Sequence, residues 1–274
     1  MIVCRSAAEL ERLARVNELV ARVLSELQEM VRPGVTTAEL DELAELRLRE
    51  AGADSAFKGY HGFPATICAS VNEQVVHGIP SERALIAGDI VSIDLGAKLD
   101  GFYGDSAVTV PVGVIDDEAV RLLRVTEAAL YKGIDAVRSG ARVSDIGAAV
   151  QAHVEAEGFS VVREFVGHGI GTKLHEEPQI PNYGTPGRGP RLAEGMVLAI
   201  EPMVNFGKPG VRVLGDGWTA VTRDGSLSAH FEHTVVVVNG GSQILTMSGS
   251  AKAEPYNRRL PQRSPLADGS RAGL

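Results

Sequence analysis

Apolar residues recur at helical spacing in the first thirty positions: Leu10, Leu13, Leu19, Val20, Val23, Leu24 and Leu27 fall on one stripe. That pattern predicts an amphipathic helix over 6–30, opened by a capping box of Ser6 and Glu9. Pro33-Gly34 breaks it, and Thr36 with Glu39 predicts the cap of a second helix ending near Gly52. From about 56 to 112 the signals become those of strands and loops. ATICASV, the alternating segment around 90–95 and a run ending at Pro111 predict strands. Helices are predicted again at 117–138 and 143–157.

The pattern then proves to be a duplication. Residues 32–52 match residues 138–158 at an offset of 106, and LIAGDIVSID (85–94) aligns with LAEGMVLAIE (192–201) at an offset of 107. Helix, helix and strands therefore occur twice, in halves of about 6–112 and 117–247. Two copies cannot make a solenoid, so a single domain over 1–248 is expected, its halves related by a pseudo-twofold around one shared site. Residues 249–274 lack periodicity and carry five basic and two acidic residues. A disordered, solvated tail is expected there, with a basic tether to ribosomal RNA as the alternative.

Both aligned strands end in an acid, Asp94 and Glu201, and a second pair follows at Asp105 (GDSAVTV) and Glu232 (FEHTVVV). Asp100-Gly101 is a hairpin turn signal. With those two residues as the loop, Gly96 pairs with Asp105, which makes Asp94 and Asp105 diagonal neighbours on one sheet face. Val91, Ile93 and Leu95 then point into a core. Glu201 precedes Pro202, which holds its backbone extended, and Glu232 borders a strand apolar enough to be buried. Clustered carboxylates in apolar surroundings demand a counter-charge. Hard oxygen donors with one histidine favour Mn, Fe(II), Co or Zn in a two-ion centre over a structural zinc.

The histidines are less decisive, since any one alone is more often structural. His168 lies between glycines, which predicts a tight turn leaving the ring free to reach an ion. GYHGF around His61 aligns with VGHGI around His168, so symmetry alone does not choose between them. His153 on a helix and His230 at a strand edge read as structural. His233, next to Glu232, should face away from the acids.

Composition narrows the class. Hydrophobic residues make up 44% and charged residues 23%, as in a soluble globular protein. The net charge of −8 argues against nucleic acid as the main ligand. Two cysteines, Cys4 and Cys68, fit a reducing cytosol. With no apolar signal region and no run of 18 apolar residues, a cytoplasmic protein without DNA or membrane partners is expected, monomeric by default.

Asp94, Asp105, His168, Glu201 and Glu232, set among HGIP, GYHGFP, GHGIG, LHEEP, AIEPM and FEHT, closely resemble the type I methionine aminopeptidases over about residues 1–247. The resemblance implies the α+β "pita-bread" fold, a curved antiparallel sheet with helices on its outer face. It implies removal of the initiator methionine from nascent chains when the second residue is small. Two divalent ions would be bridged by Asp105 and Glu232, with Asp94 on one ion and His168 and Glu201 on the other. A water shared by the ions would attack the first peptide carbonyl. Glu201 would move the proton, His175 would hydrogen-bond the carbonyl or its oxyanion, and His77 would contact the scissile nitrogen. The methionine slot would be Tyr60, His61, Phe63, Cys68 and Trp218, with Phe57 and Leu174 as further candidates. Leu174 stands where some members carry Phe, and Phe63 where some carry Tyr. The resemblance also implies a weak monovalent-cation site near Asn72 and Ser228. Rival readings are an X-Pro peptidase such as aminopeptidase P or prolidase, which carries an additional N-terminal domain, and a non-enzymatic binding protein of the same fold. A type II enzyme is disfavoured because Glu201 and Glu232 are too close in the chain for its insert.

Overall fold

A computed structural model describes residues 2–247 of the chain; the predicted disordered tail lies outside them. The first half begins with helices α1 (Ala7–Met30) and α2 (Thr37–Glu50). Both caps form as the sequence dictates: the Ser6 amide donates to Glu9 Oε2 (2.8 Å) and the Thr36 amide to Glu39 Oε2 (2.7 Å). Strands β1 (Asp54–Ser55), β2 (Ile67–Val71), β3 (Gln74–Val76), β4 (Ile90–Leu99) and β5 (Phe102–Pro111) follow. The second half opens with α3 (Asp117–Asp135) and α4 (Val143–Ala156). Its strands are β6 (Ser160–Val161), β7 (Gly167–Gly169), β8 (Glu176–Ile180), β9 (Val197–Ile200) and β10 (Met203–Asn205). They continue as β11 (Val211–Val213), β12 (Ala220–Thr222), β13 (Ser228–His230), β14 (His233–Val238) and β15 (Gly241–Ile244).

The repeat is visible in single hydrogen bonds. The Gly34 amide donates to Leu85 O and the Leu85 amide to Val35 O; in the second half Gly140 donates to Leu192 O and Leu192 to Ala141 O. Each half supplies most of one core. One gathers Leu13, Val20, Leu27 and Leu40 against Val91, Ile93 and Leu95. The other gathers Leu122, Leu130, Ile146 and Val150 against Leu198, Ile200 and Val235. Among the described residues no helix is long and apolar enough to cross a membrane.

The sheet expected as one curved layer occurs as four antiparallel pieces. The largest orders β15-β14-β9-β7-β8; another places β1, β4 and β2 side by side with β5 on β4. One break has a local cause: Phe231 and Glu232 leave extended ladder pairing between β13 and β14. The seam between this segment and β5 is laced largely by side chains. Ser106 Oγ donates to Glu232 O (2.7 Å), Thr234 Oγ1 to Asp105 O (2.8 Å) and Thr109 Oγ1 to His230 O (2.8 Å). One backbone bond joins them, from the Glu232 amide to Ala107 O (2.9 Å). Helix α1 packs on β4 and β5, and Ser92, Asp94 and Gly96 alternate onto the opposite face of the hairpin.

Candidate metal centre

The β4–β5 hairpin turns at Asp100 and Gly101, both left-handed (φ 52° and 82°), as a two-residue loop between right-twisted strands requires. Leu99 pairs with Phe102, Gly96 with Asp105 and Asp94 with Ala107. The two acids are therefore diagonal neighbours on one face, in the register the turn residues predict. Cys68 of β2 pairs with Asp94 from the other side. Glu201 follows β9 directly, its carbonyl accepting from Asn182 Nδ2 (3.0 Å). Glu232 sits at the break between β13 and β14 and is buried.

His168 is held differently from the expected turn. It is the middle residue of β7, paired with Ala199 of β9 and Gln179 of β8. The glycines beside it serve close approach rather than turning. A Cβ on Gly167 would stand 2.4 Å from Ala199 O, and one on Gly169 2.3 Å from Glu177 O. His168 Nδ1 lies 2.9 Å from Gly169 O. With Nδ1–H donating there, Nε2 keeps its lone pair toward the acids, at 3.6 Å from Glu201 Oε1 and 3.9 Å from Asp105 Oδ2.

One ligand atom each of Asp105, His168 and Glu232 lie within 4.8 Å of one another. Asp94 Oδ1, Asp105 Oδ1 and Glu232 Oε1 are buried without any hydrogen-bond donor. Burial pushes the Asp94 carboxyl up to about 7. Asp105, Glu201 and Glu232 are driven well above the usual carboxylate range by burial and then by one another's charge. Burial, helped by His175, holds His168 down to about 3, so its imidazole is neutral. Orphaned carboxylate oxygens around a neutral imidazole lone pair fit a divalent cation: the ion supplies the missing counter-charge, and the donors are hard.

These groups border a cavity of about 860 Å³. The expected slot residues Tyr60, His61, Phe63, Cys68 and Trp218 line it, as do Phe57, Leu174, His77 and His175. Phe63 and Trp218 meet edge to face, with ring centroids 5.2 Å apart. Tyr60 and His61 stand exposed on a short 3-10 turn, and the Tyr60 hydroxyl lies 2.8 Å from His175 Nδ1. His77 is left-handed (φ 59°), and burial lowers it to about 4. Asn72 O accepts from the Ser228 amide (2.9 Å), so the two residues expected near a monovalent cation are adjacent.

Two lining residues were not legible in the sequence. His230, expected to be merely structural, is buried with an unpartnered Nε2 3.8 Å from Glu201 Oε2. A strand edge in the pattern becomes a cavity wall because β13 abuts the β5 seam. Phe165, whose ring packs edge-on against His77 at 5.3 Å, carries no motif signal at all. His233 behaves as expected, turned away to Thr246 Oγ1 (2.8 Å). A third arrangement braces the rim. Arg5, with its side chain 4% exposed, pairs with Glu176, whose Oε1 accepts from the Thr172 (2.8 Å) and Lys173 (3.1 Å) amides. The N-terminal segment is thereby strapped to the loop that carries Leu174 and His175.

Residues 11–239 match the sequence pattern of metallopeptidase family M24. Methionine aminopeptidase 1 of Bacillus subtilis is 54% identical over 246 residues, covering 90% of this chain and 99% of its own. The methionine aminopeptidase of Clostridium perfringens is 52% identical over 247 residues, with the same coverage of 90% and 99%. The crystal structure of methionine aminopeptidase from Rickettsia prowazekii superposes with a TM-score of 0.89 at 42% identity, over 90% of this chain and 100% of that one.

Proposed function

The chain belongs to metallopeptidase family M24 and, within it, to the methionine aminopeptidases, and from that premise we propose that Asp94, Asp105, His168, Glu201 and Glu232 hold the metal with which it removes the initiator methionine. The fold is the pita-bread arrangement of that family. The observation that carries the site assignment is the set of buried, donorless carboxylate oxygens facing one neutral imidazole at the wall of an aromatic-lined cavity. Two divalent ions, Co, Mn, Fe(II) or Zn, would acidify a water there and polarise the scissile carbonyl.

The remaining work falls to the chain's own side chains. The Glu201 carboxylate takes the proton from the attacking water and returns it to the leaving amine. His175 donates Nε2–H to the carbonyl oxygen as negative charge develops. His77, kept neutral by burial, contacts the scissile nitrogen. Phe63, Cys68 and Trp218 enclose the unbranched thioether of methionine, while Tyr60 and His61 close the outer side of the slot. The substrates are N-termini of nascent polypeptides with a small second residue, met by a monomer in the cytoplasm.

Mass spectrometry of two peptides, with and without chelator, tests this. Met-Ala-Ser should lose its methionine and Met-Lys-Ser should not; chelation should abolish the reaction and Mn, Co or Fe(II) should restore it. Comparable cleavage of Met-Lys-Ser, or no cleavage with any metal, overturns the assignment.

A further inference from the structure

We propose that Tyr60 is a positioning residue as well as part of the slot: its hydroxyl donates to Nδ1 of His175 and fixes that imidazole with its proton on Nε2, facing the substrate carbonyl. The inference rests on the role given to His175 above and goes beyond it by naming the group that sets its tautomer.

The geometry separates the hydroxyl from the ring. A thioether slot needs only an apolar wall, and Phe63, 4% exposed, supplies one without any polar atom. The Tyr60 hydroxyl adds a polar atom that such a wall does not need, and it stands 2.8 Å from His175 Nδ1. The backbone around it is unusual. Gly59 (φ 85°), His61 (φ 48°) and Gly62 (φ 90°) are all left-handed, and the conformation at His61 is one that non-glycine residues adopt at a cost. The turn presents Tyr60 to His175, and the His61 ring holds it edge-on at 4.4 Å. The His175 ring also packs edge-on against His168, with ring centroids 4.4 Å apart. The imidazole thus touches both the Tyr60 and the His168 rings, with Nδ1 on the phenol.

The proton count follows. A neutral imidazole has one N–H and one lone pair. Burial holds the Tyr60 phenol above its ordinary value, so its proton is present to be donated. Donation to Nδ1 occupies that lone pair and leaves the ring proton on Nε2. The reverse polarity, Nδ1–H donating to the phenol oxygen, would leave Nε2 an acceptor and unable to stabilise an oxyanion.

The test is Tyr60→Phe, which keeps the ring and deletes only the hydroxyl oxygen. With Met-Ala-Ser, kcat should fall roughly tenfold, the worth of one hydrogen bond, with KM within about twofold. In zinc-loaded, diamagnetic protein, nitrogen chemical shifts of the His175 ring should show the Nε2–H tautomer in wild type and a mixture in the variant. Tyr60→Phe combined with His175→Ala should be no slower than His175→Ala alone, because one residue acts through the other. Unchanged kcat with an unchanged tautomer, a rise in KM alone, or additive losses in the double variant would each overturn the inference. Wild-type kcat in His175→Ala would instead remove the reading of His175 itself.

Discussion

Removing one charge from the metal-free centre should make the protein more stable, by an amount that grows with pH. Asp94 is a part-buried carboxylate with one orphaned oxygen, and in the folded chain it holds its proton up to about 7 rather than the ordinary 3.8. The folded state therefore binds more protons than the unfolded state between those values. Whatever stability that proton preserves is complete below pH 4 and is lost as pH rises through 7. At 1.36 kcal/mol per unit, ionising Asp94 without a metal costs at most about 4 kcal/mol by pH 8, of which about 2–3 kcal/mol accrues above pH 5. Asp94→Asn does not titrate and escapes this penalty. For a domain of this size its metal-free melting temperature should lead wild type by roughly 10 °C at pH 8 and by much less at pH 5. The pH profile of wild type alone cannot test this. His77, His168, His230 and His233, held down to about 3–4 by burial, pull the other way, adding stability as pH rises to 6.5. The difference between the two proteins cancels them. Calorimetry in chelator at the two pH values is the assay; a gap independent of pH, or a less stable variant at pH 8, refutes the reasoning. Adding a saturating divalent ion should reverse the order, because only wild type keeps every ligand of the proposed set.

Two further outcomes follow from the packing. Arg5→Met leaves the Glu176 carboxylate, 12% exposed, without its cation. This should cost about 3–5 kcal/mol in a denaturant titration and speed hydrogen exchange at the Thr172 and Lys173 amides; unchanged exchange would show that the strap does not hold the rim loop. Gly169→Ala places a Cβ 2.3 Å from Glu177 O, which should cost about 1–3 kcal/mol and lower divalent-ion affinity by calorimetric titration. Wild-type affinity and stability would mean that β7 and β8 have room the structure does not show.

Local rules carried far in this chain. The caps at Ser6 and Thr36 are set by residues three positions apart, and the hairpin register by Asp100-Gly101, so each is decided within a few residues. The duplication extends that reach, because a match at offset 106 sets the limits of α4 by those of α2. What stayed hidden depends on distance in the chain. Tyr60 and His175 are 115 residues apart and Arg5 and Glu176 are 171 apart; no periodicity relates either pair. The glycines around His168 were misread for a related reason. A glycine required by left-handed φ and one required by a neighbouring strand look alike until that strand is in place. His230 was hidden because strand alternation says which side a residue faces, not whether that side is solvent or a cavity.

The laced seam between β5 and β14 also has a bearing on the order of events during synthesis. Ser106 and Glu232, joined across it, are separated by 126 residues. During synthesis the first hairpin, with Asp94 and Asp105, can close long before Glu232 has been polymerised. Until Glu232 has been made and β14 docks, the proposed set lacks one of its buried carboxylates, although Asp94, Asp105, His168 and Glu201 already stand in the chain. Neither half holds the candidate set alone: Asp94 and Asp105 stand in the first, and His168, Glu201 and Glu232 in the second, so the site comes together only where the two halves fold onto one another.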